Sequence, residues 1–299
     1  MKAPTDMAAS VRQRLLNLAR RDKRPFQELL QYYAMERFLY RLTRSAHADR
    51  FILKGALLLR VWRASELRPT MDIDMLGKVS NEAVGIVALM KDIMAVEVEA
   101  DGLMFDPDSI QSEGISEDME YEGVRVRFRG HLDTARVGIQ VDIGFGDIVY
   151  PAPEETCLPT VLNHPAPKLL CYSRESAIAE KFEAMVKLGV VNSRMKDFHD
   201  IWLLSRQFDF SGDTLAEAIR LTMERRDTLL PINIEAFGKD FQHEKQMQWS
   251  AFRNRLQQNH IPNEFADIVS GVKAFLAPII STTQVKAGNM RWIAPGPWT

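Results

Sequence analysis

An α+β fold is predicted from three features of the sequence. Short runs at 71–76, 123–129 and 135–143 alternate apolar and polar residues with the period of a β-strand. The segments before and between them place apolar residues at helical spacing. Beyond a proline-rich passage from Pro151 to Pro167 the pattern is almost wholly helical. A domain boundary is therefore expected near residue 150, giving domains 1–150 and 151–299.

The first helix is expected from about Ala8 to Arg21, on Val11, Leu15, Leu16, Leu18 and Ala19. Pro25 opens a second helix through Phe26, Leu29, Leu30, Tyr33, Arg37, Phe38 and Leu42, since proline suits a first turn whose N–H has no helical partner. The basic stretch RRDKR between them reads as a solvated connection, with a phosphate contact as the alternative. Phe51–Leu59, FILKGALLL, is apolar on both sides of Lys54-Gly55, which fits a short strand, a glycine turn and a following helix. Met71–Leu76, MDIDML, is a short strand. Residues 81–95 form a helix crossing the sheet, with Val84, Val87, Ala88, Met90, Ile93 and Met94.

Gly123–Arg129 alternates strictly, with Val124, Val126 and Phe128 on one face and Arg125, Arg127 and Arg129 on the other. GHLDT then makes a hairpin to Ala135–Ile143. In the second half, one helix carries Ile178, Phe182 and Met185, and the next carries Phe198, Ile201, Trp202 and Leu204 behind an Asn192-Ser193 cap. Further helices are expected at Leu215–Arg225, Lys245–Gln257 and Glu264–Leu276, followed by an irregular end rich in Gly, Pro and polar groups.

Composition narrows the classes. With a net charge of -2 over 299 residues there is no overall basic field to attract nucleic acid, although a local basic face remains open. The spacing of Cys157 and Cys171 does not suit a zinc site, and both are expected as buried thiols in a reducing cytosol. The N-terminal MKAPTDMAAS lacks an apolar signal core, and no run approaches the roughly 20 apolar residues of a membrane helix. A cytoplasmic protein without a membrane partner is expected.

The chemistry concentrates in acidic residues. On a strand, Asp72 and Asp74 project to one face while Met71, Ile73 and Met75 face the other way. Two parallel carboxylates repel unless a cation lies between them, and oxygen-only ligands favour a hard ion, Mg2+ first. Asp142 is the candidate third ligand. Val137, Ile139, Val141 and Ile143 make the apolar face of its strand, and an antiparallel neighbour would bring Asp142 beside the pair. A solvated edge charge is the alternative. Lys54-Gly55-Ala56 precedes the pair, and a glycine turn can present backbone N–H groups to a phosphate. Lys181 lies beside an apolar helix face and could reach a triphosphate as a point charge, or be solvated. Asp197 and Asp200 stand one turn apart in Lys196-Asp197-Phe198-His199-Asp200, serving either the helix dipole or an arginine partner.

Taken in order, these residues resemble the AbiEii-type nucleotidyltransferases, often found as toxins of toxin–antitoxin pairs. The match runs through Phe51-Ile-Leu-Lys-Gly-Ala-Leu-Leu-Leu, Arg68-Pro-Thr-Met-Asp72-Ile-Asp74, Glu180-Lys181 and Lys196-Asp197-Phe198-His199-Asp200, over roughly residues 25 to 205. The resemblance implies a polymerase-β-type nucleotidyltransferase core, a mixed sheet flanked by helices, with a helical C-terminal domain completing the active site. It also implies Asp72 and Asp74 as catalytic metal ligands, and Lys181 and Asp197 as further catalytic residues. Thr70 matches a Ser/Thr that is a modification site in some relatives, and with Lys54, Gly55 and Lys181 makes the expected nucleotide-binding set.

The expected reaction is Mg2+-dependent transfer of a nucleotide from a nucleoside triphosphate to an RNA hydroxyl, with the tRNA 3′ end as one acceptor and an antitoxin protein as partner. A regulatory nucleotide-binding module and γ-phosphoryl transfer to protein are the alternatives. Arg125, Arg127 and Arg129 either guide RNA or form a salt-bridged sheet face. Ala56 stands where the family often has Gly or Ser, so no hydroxyl is available there.

Overall fold

The structure, a computed structural model, describes residues 6–64, 68–116, 122–256, 258, 260–282 and 289–299. By contacts it divides into two units. The first comprises Met1–Arg63, Pro69–Gly146 and Glu154–Cys171, and the second comprises Ala64–Arg68, Asp147–Pro153 and Tyr172–Thr299. The division is thus more interleaved than a single boundary at residue 150.

In the first unit, α1 (Met7–Asp22) begins where the Asp6 carboxylate accepts the N–H of Ala9 at 3.1 Å. After Pro25 comes α2 (Phe26–Arg44), buried on every side from Leu29 to Leu42. A helix buried all round must satisfy its own polar residues. Arg41 does so with a bidentate pair to Asp101 at 2.7 and 3.1 Å, and Tyr33 donates to the Asp101 carbonyl at 2.6 Å. The expected strand, turn and helix follow as β1 (Phe51–Lys54), a 3-10 turn at Gly55–Leu57 and the single-turn α3 (Leu58–Val61). Next are β2 (Asp72–Gly77) and α4 (Ala83–Met94), whose buried face is Ile86, Met90, Ile93 and Met94. Val84, expected on that face, is 85% exposed.

Three long strands continue the sheet: β3 (Leu103–Ser116), β4 (Glu122–Leu132) and β5 (Ala135–Phe145). Two short ones, β6 (Glu154–Cys157) and β7 (Lys168–Cys171), complete it in the order β3-β4-β5-β2-β1-β7-β6. The sheet is mixed, since β2–β5 and β1–β7 are parallel and the other pairs antiparallel.

Two expectations are corrected here. Asp142 was expected from an antiparallel neighbour, but β5 runs parallel to β2. The cause is β3, which the sequence pattern does not reveal and which adds one more reversal before β5. Its segment, LMFDPDSIQSEGIS, contains Pro107 and a register shift between Asp106 and Gln111, both tolerated because β3 is an edge strand. Cys157 on β6 also differs from expectation, being exposed, whereas Cys171 is buried as expected and its thiol is pushed up to about 12 by burial.

Register sorts the faces. Val126 lies opposite Val141 and Phe128 opposite Ile139, while Ile73 and Met75 pair with Val141 and Ile143. This is the buried face. The other face carries a cross-strand row of Glu113, Arg125, Asp142, Asp74 and Lys54. Beside it runs a second row of Gln111, Arg127, Gln140 and Asp72.

The second unit is mainly helical. It contains α5 (Arg174–Leu188), α6 (Met195–Gln207), β8 (Phe210–Ser211), α7 (Gly212–Arg225), α8 (Lys239–Leu256), α9 (Phe265–Thr282) and β9 (Arg291–Trp292). Ser173 caps α5 by accepting the N–H of Ser176 at 3.0 Å. The expected cap of α6 acts one step earlier than a true cap. Asn192 accepts the N–H of Arg194, which itself stands at the cap position. Phe198, Phe241, Trp249 and Phe265 form an aromatic core around α6. The end of the chain is more ordered than expected, because β9 pairs with β8 and Trp292 and Trp298 pack on Phe275. Among the described residues no helix is long and apolar enough to cross a membrane.

Candidate active site

Parallel pairing sets Asp74 directly beside Asp142, and Asp72 lies two residues earlier on the same face of β2. One carboxylate oxygen from each of Asp72, Asp74 and Asp142 lies within 4.8 Å of the other two, and all three residues are half-buried. Such a triangle concentrates like charge in a partly desolvated place. That is costly without a cation, and three oxygen donors suit a hard divalent ion.

Asp72 and Asp142 are held from outside the triangle. The Thr70 hydroxyl donates to Asp72 Oδ1, and the Thr70 N–H donates to the Tyr32 hydroxyl at 3.2 Å, so Thr70 is buried and fixed. Thr70 thus holds Asp72 in place. Asp142 accepts a fork from Arg125, at 2.8 Å from Nε and 2.7 Å from Nη2, and a third bond from Gln140 Nε2 at 3.2 Å. A carboxylate offers about four acceptor positions, so Asp142 keeps room for a metal. Arg125 and Gln140 position Asp142, a pairing that the sequence did not assign to either residue. The signal was available, because both lie on the polar side of strictly alternating strands.

Gly55 has φ +73°, a conformation that favours glycine, and it also makes room for Asp74. A Cβ on Gly55 would lie 1.8 Å from Asp74 Oδ2 and 2.5 Å from its Cγ. The sequence assigned this glycine to phosphate approach; its close approach to Asp74 is an additional demand. Lys54, opposite Asp74 in register, extends its ammonium to 3.7 Å from where a Gly144 Cβ would stand. It therefore reaches across β2 toward the C-terminal end of β5.

The three arginines of β4 form the salt-bridged alternative. Besides the Arg125–Asp142 fork, Arg127 pairs with Glu113 at 2.8 Å and Arg129 with Asp106 at 3.2 Å.

Lys181 and Asp197 meet in the helical unit. Lys181 Nζ lies 3.1 Å from Asp197 and 2.9 Å from Asp200. Asp197 also faces Arg194 Nε at 2.7 Å, and Asp200 accepts Arg68 Nε at 2.9 Å and Nη2 at 3.1 Å. Burial disfavours the charged form of Lys181, but the carboxylates of Asp200 and Asp197 outweigh it, and its pKa is raised. Burial likewise opposes ionised Asp200, yet Arg68 and Lys181 hold its carboxyl well below the usual range. The Arg68 partner of Asp200 was left open by the sequence, which offered only an arginine of unspecified position.

The fold is shared with MenT4, a nucleotidyltransferase toxin from Mycobacterium tuberculosis, at a TM-score of 0.51 and 15% identity, over 94% of this chain and 88% of that one. JHP933 from Helicobacter pylori is similar at a TM-score of 0.47 and 12% identity, over 86% of this chain and 93% of its own. No match is found among curated proteins. The family described as nucleotidyl transferase AbiEii toxin, of type IV toxin–antitoxin systems, matches residues 37–271, and the chain belongs to it.

Proposed function

We propose that the protein transfers a nucleotidyl group from a nucleoside triphosphate to an RNA hydroxyl, using Mg2+ held by Asp72, Asp74 and Asp142. The observation that carries this reading is the triangle of carboxylate oxygens within 4.8 Å. The oxygen-only donor set and the position left open on Asp142 fit a hard divalent ion. Bound there, Mg2+ would lower the pKa of the attacking hydroxyl and neutralise the leaving group.

In the reaction the acceptor oxygen bonds to the α-phosphorus, the bond from that phosphorus to the bridging β-phosphate oxygen breaks, and pyrophosphate departs while the hydroxyl proton passes to solvent. Thr70 and Arg125 hold Asp72 and Asp142 in place for this. Lys54 supplies positive charge for the departing phosphates, and Gly55 leaves its backbone open to them. Lys181 is proposed as a further cation for the triphosphate and Asp197 as the residue that orients it, as the family resemblance implies. The tRNA 3′ end is one acceptor consistent with the reading. Membership of a toxin–antitoxin family makes an antitoxin the expected protein partner.

The test is label transfer. Purified protein with Mg2+ and total RNA is expected to move label from α-labelled triphosphate into RNA. Label moved from the γ-position onto protein would instead support phosphoryl transfer, and no transfer of either label would leave nucleotide binding alone.

A further inference from the structure

The row of Gln111, Arg127 and Gln140 also borders a cavity that the proposed chemistry does not use. Its volume is about 580 Å³ and its walls include Met71, Ser109, Gln111, Arg127, Gly138 and Gln140. That size lies within the range of small-molecule pockets. The pocket exists for identifiable reasons. The register shift in β3 opens its outer wall between Asp106 and Gln111. Gly138 leaves its floor bare, since a Cβ there would meet no atom within 4 Å. Gln31 fixes the inner edge by donating to the carbonyls of Met71 at 3.0 Å and Gly138 at 2.9 Å.

The pocket adjoins the carboxylates through one side chain. Gln140 donates to Asp142 at 3.2 Å and accepts from Arg127 Nε at 3.0 Å. Along the parallel strands β2 and β5 three features therefore follow in sequence. Met71 and Gly138 mark the pocket, then come Asp72, Asp74 and Asp142, and the Lys54 ammonium lies near Gly144 beyond them. If the leaving pyrophosphate is drawn toward Lys54, in-line displacement requires the attacking hydroxyl to arrive from the opposite end, which is the pocket.

The pocket's charge distinguishes what part of an acceptor it takes. Arg127 and Arg129 are already paired with Glu113 and Asp106, so the walls offer donors and acceptors with little net positive charge. That suits the edges of a neutral nucleobase better than a phosphate. Glutamine amides and arginine forks are the groups that read base edges, and single-stranded ends are where RNA bases are free to be read. Met71, 53% exposed, offers an apolar surface for the base.

We propose that this pocket holds the 3′-terminal base of the acceptor strand, so that Gln111, Arg127 and Gln140 set which terminal nucleotide is extended. The proposal rests on the nucleotidyl-transfer reading above.

The experiment uses the full chain, α-labelled triphosphate and four short oligoribonucleotides that differ only in the 3′-terminal nucleotide. Gly138→Leu should fill the floor without touching a carboxylate, and Gln111→Ala should remove one reader from an exposed edge strand. The expected results are a preference among the four oligonucleotides for the wild type and at least a tenfold higher acceptor KM for Gly138→Leu. Its triphosphate KM should stay unchanged, and the preference should flatten in Gln111→Ala. An unchanged acceptor KM and preference in both variants overturns the proposal, as does a rise confined to the triphosphate KM, which would give the pocket to the incoming nucleotide's base. If Gly138→Leu does not fold, the preference of Gln111→Ala decides. A wild type that transfers no label to any oligonucleotide or to total RNA fails at the earlier step, and refutes nucleotidyl transfer itself.

Discussion

Replacing Gly55 with alanine should couple directly to Asp74. At φ +73° an L-residue pays about 1–2 kcal/mol for left-handed backbone. The new Cβ would also stand 1.8 Å from Asp74 Oδ2. To reach ordinary contact the carboxylate must retreat by about 1.5 Å or leave its rotamer, at a further cost of about 1 kcal/mol. Gly55→Ala alone should therefore lose about 2–3 kcal/mol. In an Asp74→Ala background, where the obstructing carboxylate is gone, the same change should cost only the backbone term of about 1–2 kcal/mol. Urea unfolding of the wild type, both single variants and the double variant gives the coupling directly, expected near 1 kcal/mol. Activity adds a second readout, because a ligand displaced by about 1 Å typically costs on the order of 100-fold in rate. Strict additivity of the two substitutions, or a Gly55→Ala protein with wild-type transfer, would refute the view that this glycine exists to seat Asp74.

Other substitutions probe the supports of the two units. Thr70→Val keeps the volume but removes the hydroxyl that holds Asp72, and should weaken Mg2+ binding about tenfold, read as the Mg2+ concentration that half-shifts the thermal midpoint. Lys181→Met leaves the buried Asp197 and Asp200 short of a cation, and should destabilise the chain by about 3 kcal/mol in urea unfolding. Glu36 is buried on α2, and burial raises its carboxyl to about 7 despite Arg37 and the N–H of Val161 at 2.6 Å. A raised carboxyl contributes stability that is complete below its unfolded value of 4.5 and is lost as pH rises through 7. At about 1.4 kcal/mol for each pH unit between 4.5 and about 7, the loss is at most about 3.5 kcal/mol. Urea unfolding from pH 4.5 to 8 should show this decline in the wild type and a flatter profile in Glu36→Gln.

Legibility in the sequence followed local periodicity. The alternation of MDIDML and ARVGIQVDI placed Asp72, Asp74 and Asp142 on polar strand faces, and parallel register brings them together. Their relative direction was not legible, because it depends on β3, an edge strand whose proline and bulge suppress the alternating pattern. The short strands β6 and β7 were hidden for a related reason. Four residues each, in and beside a proline-rich stretch, carry too little pattern, and β7 takes as its neighbour β1, which lies far away in sequence. Lys181, Asp197 and Asp200 were legible as motif residues, but Arg68 as the partner of Asp200 was not, since 132 residues separate them. The seating of Asp74 against Gly55 is a through-space demand that only coordinates reveal.

The most direct measurement is the rate of α-label transfer into RNA as a function of Mg2+ concentration, for the wild type and for Asp74→Asn. The wild type should show a rate that saturates with Mg2+ and vanishes in excess chelator. Asp74→Asn, which preserves shape but removes a ligand charge, should lose several kcal/mol of transition-state stabilisation, on the order of 100-fold to 1,000-fold in rate. Equal rates for the two proteins, or transfer that persists without divalent ions, would contradict a catalytic metal held by the Asp72, Asp74 and Asp142 triangle.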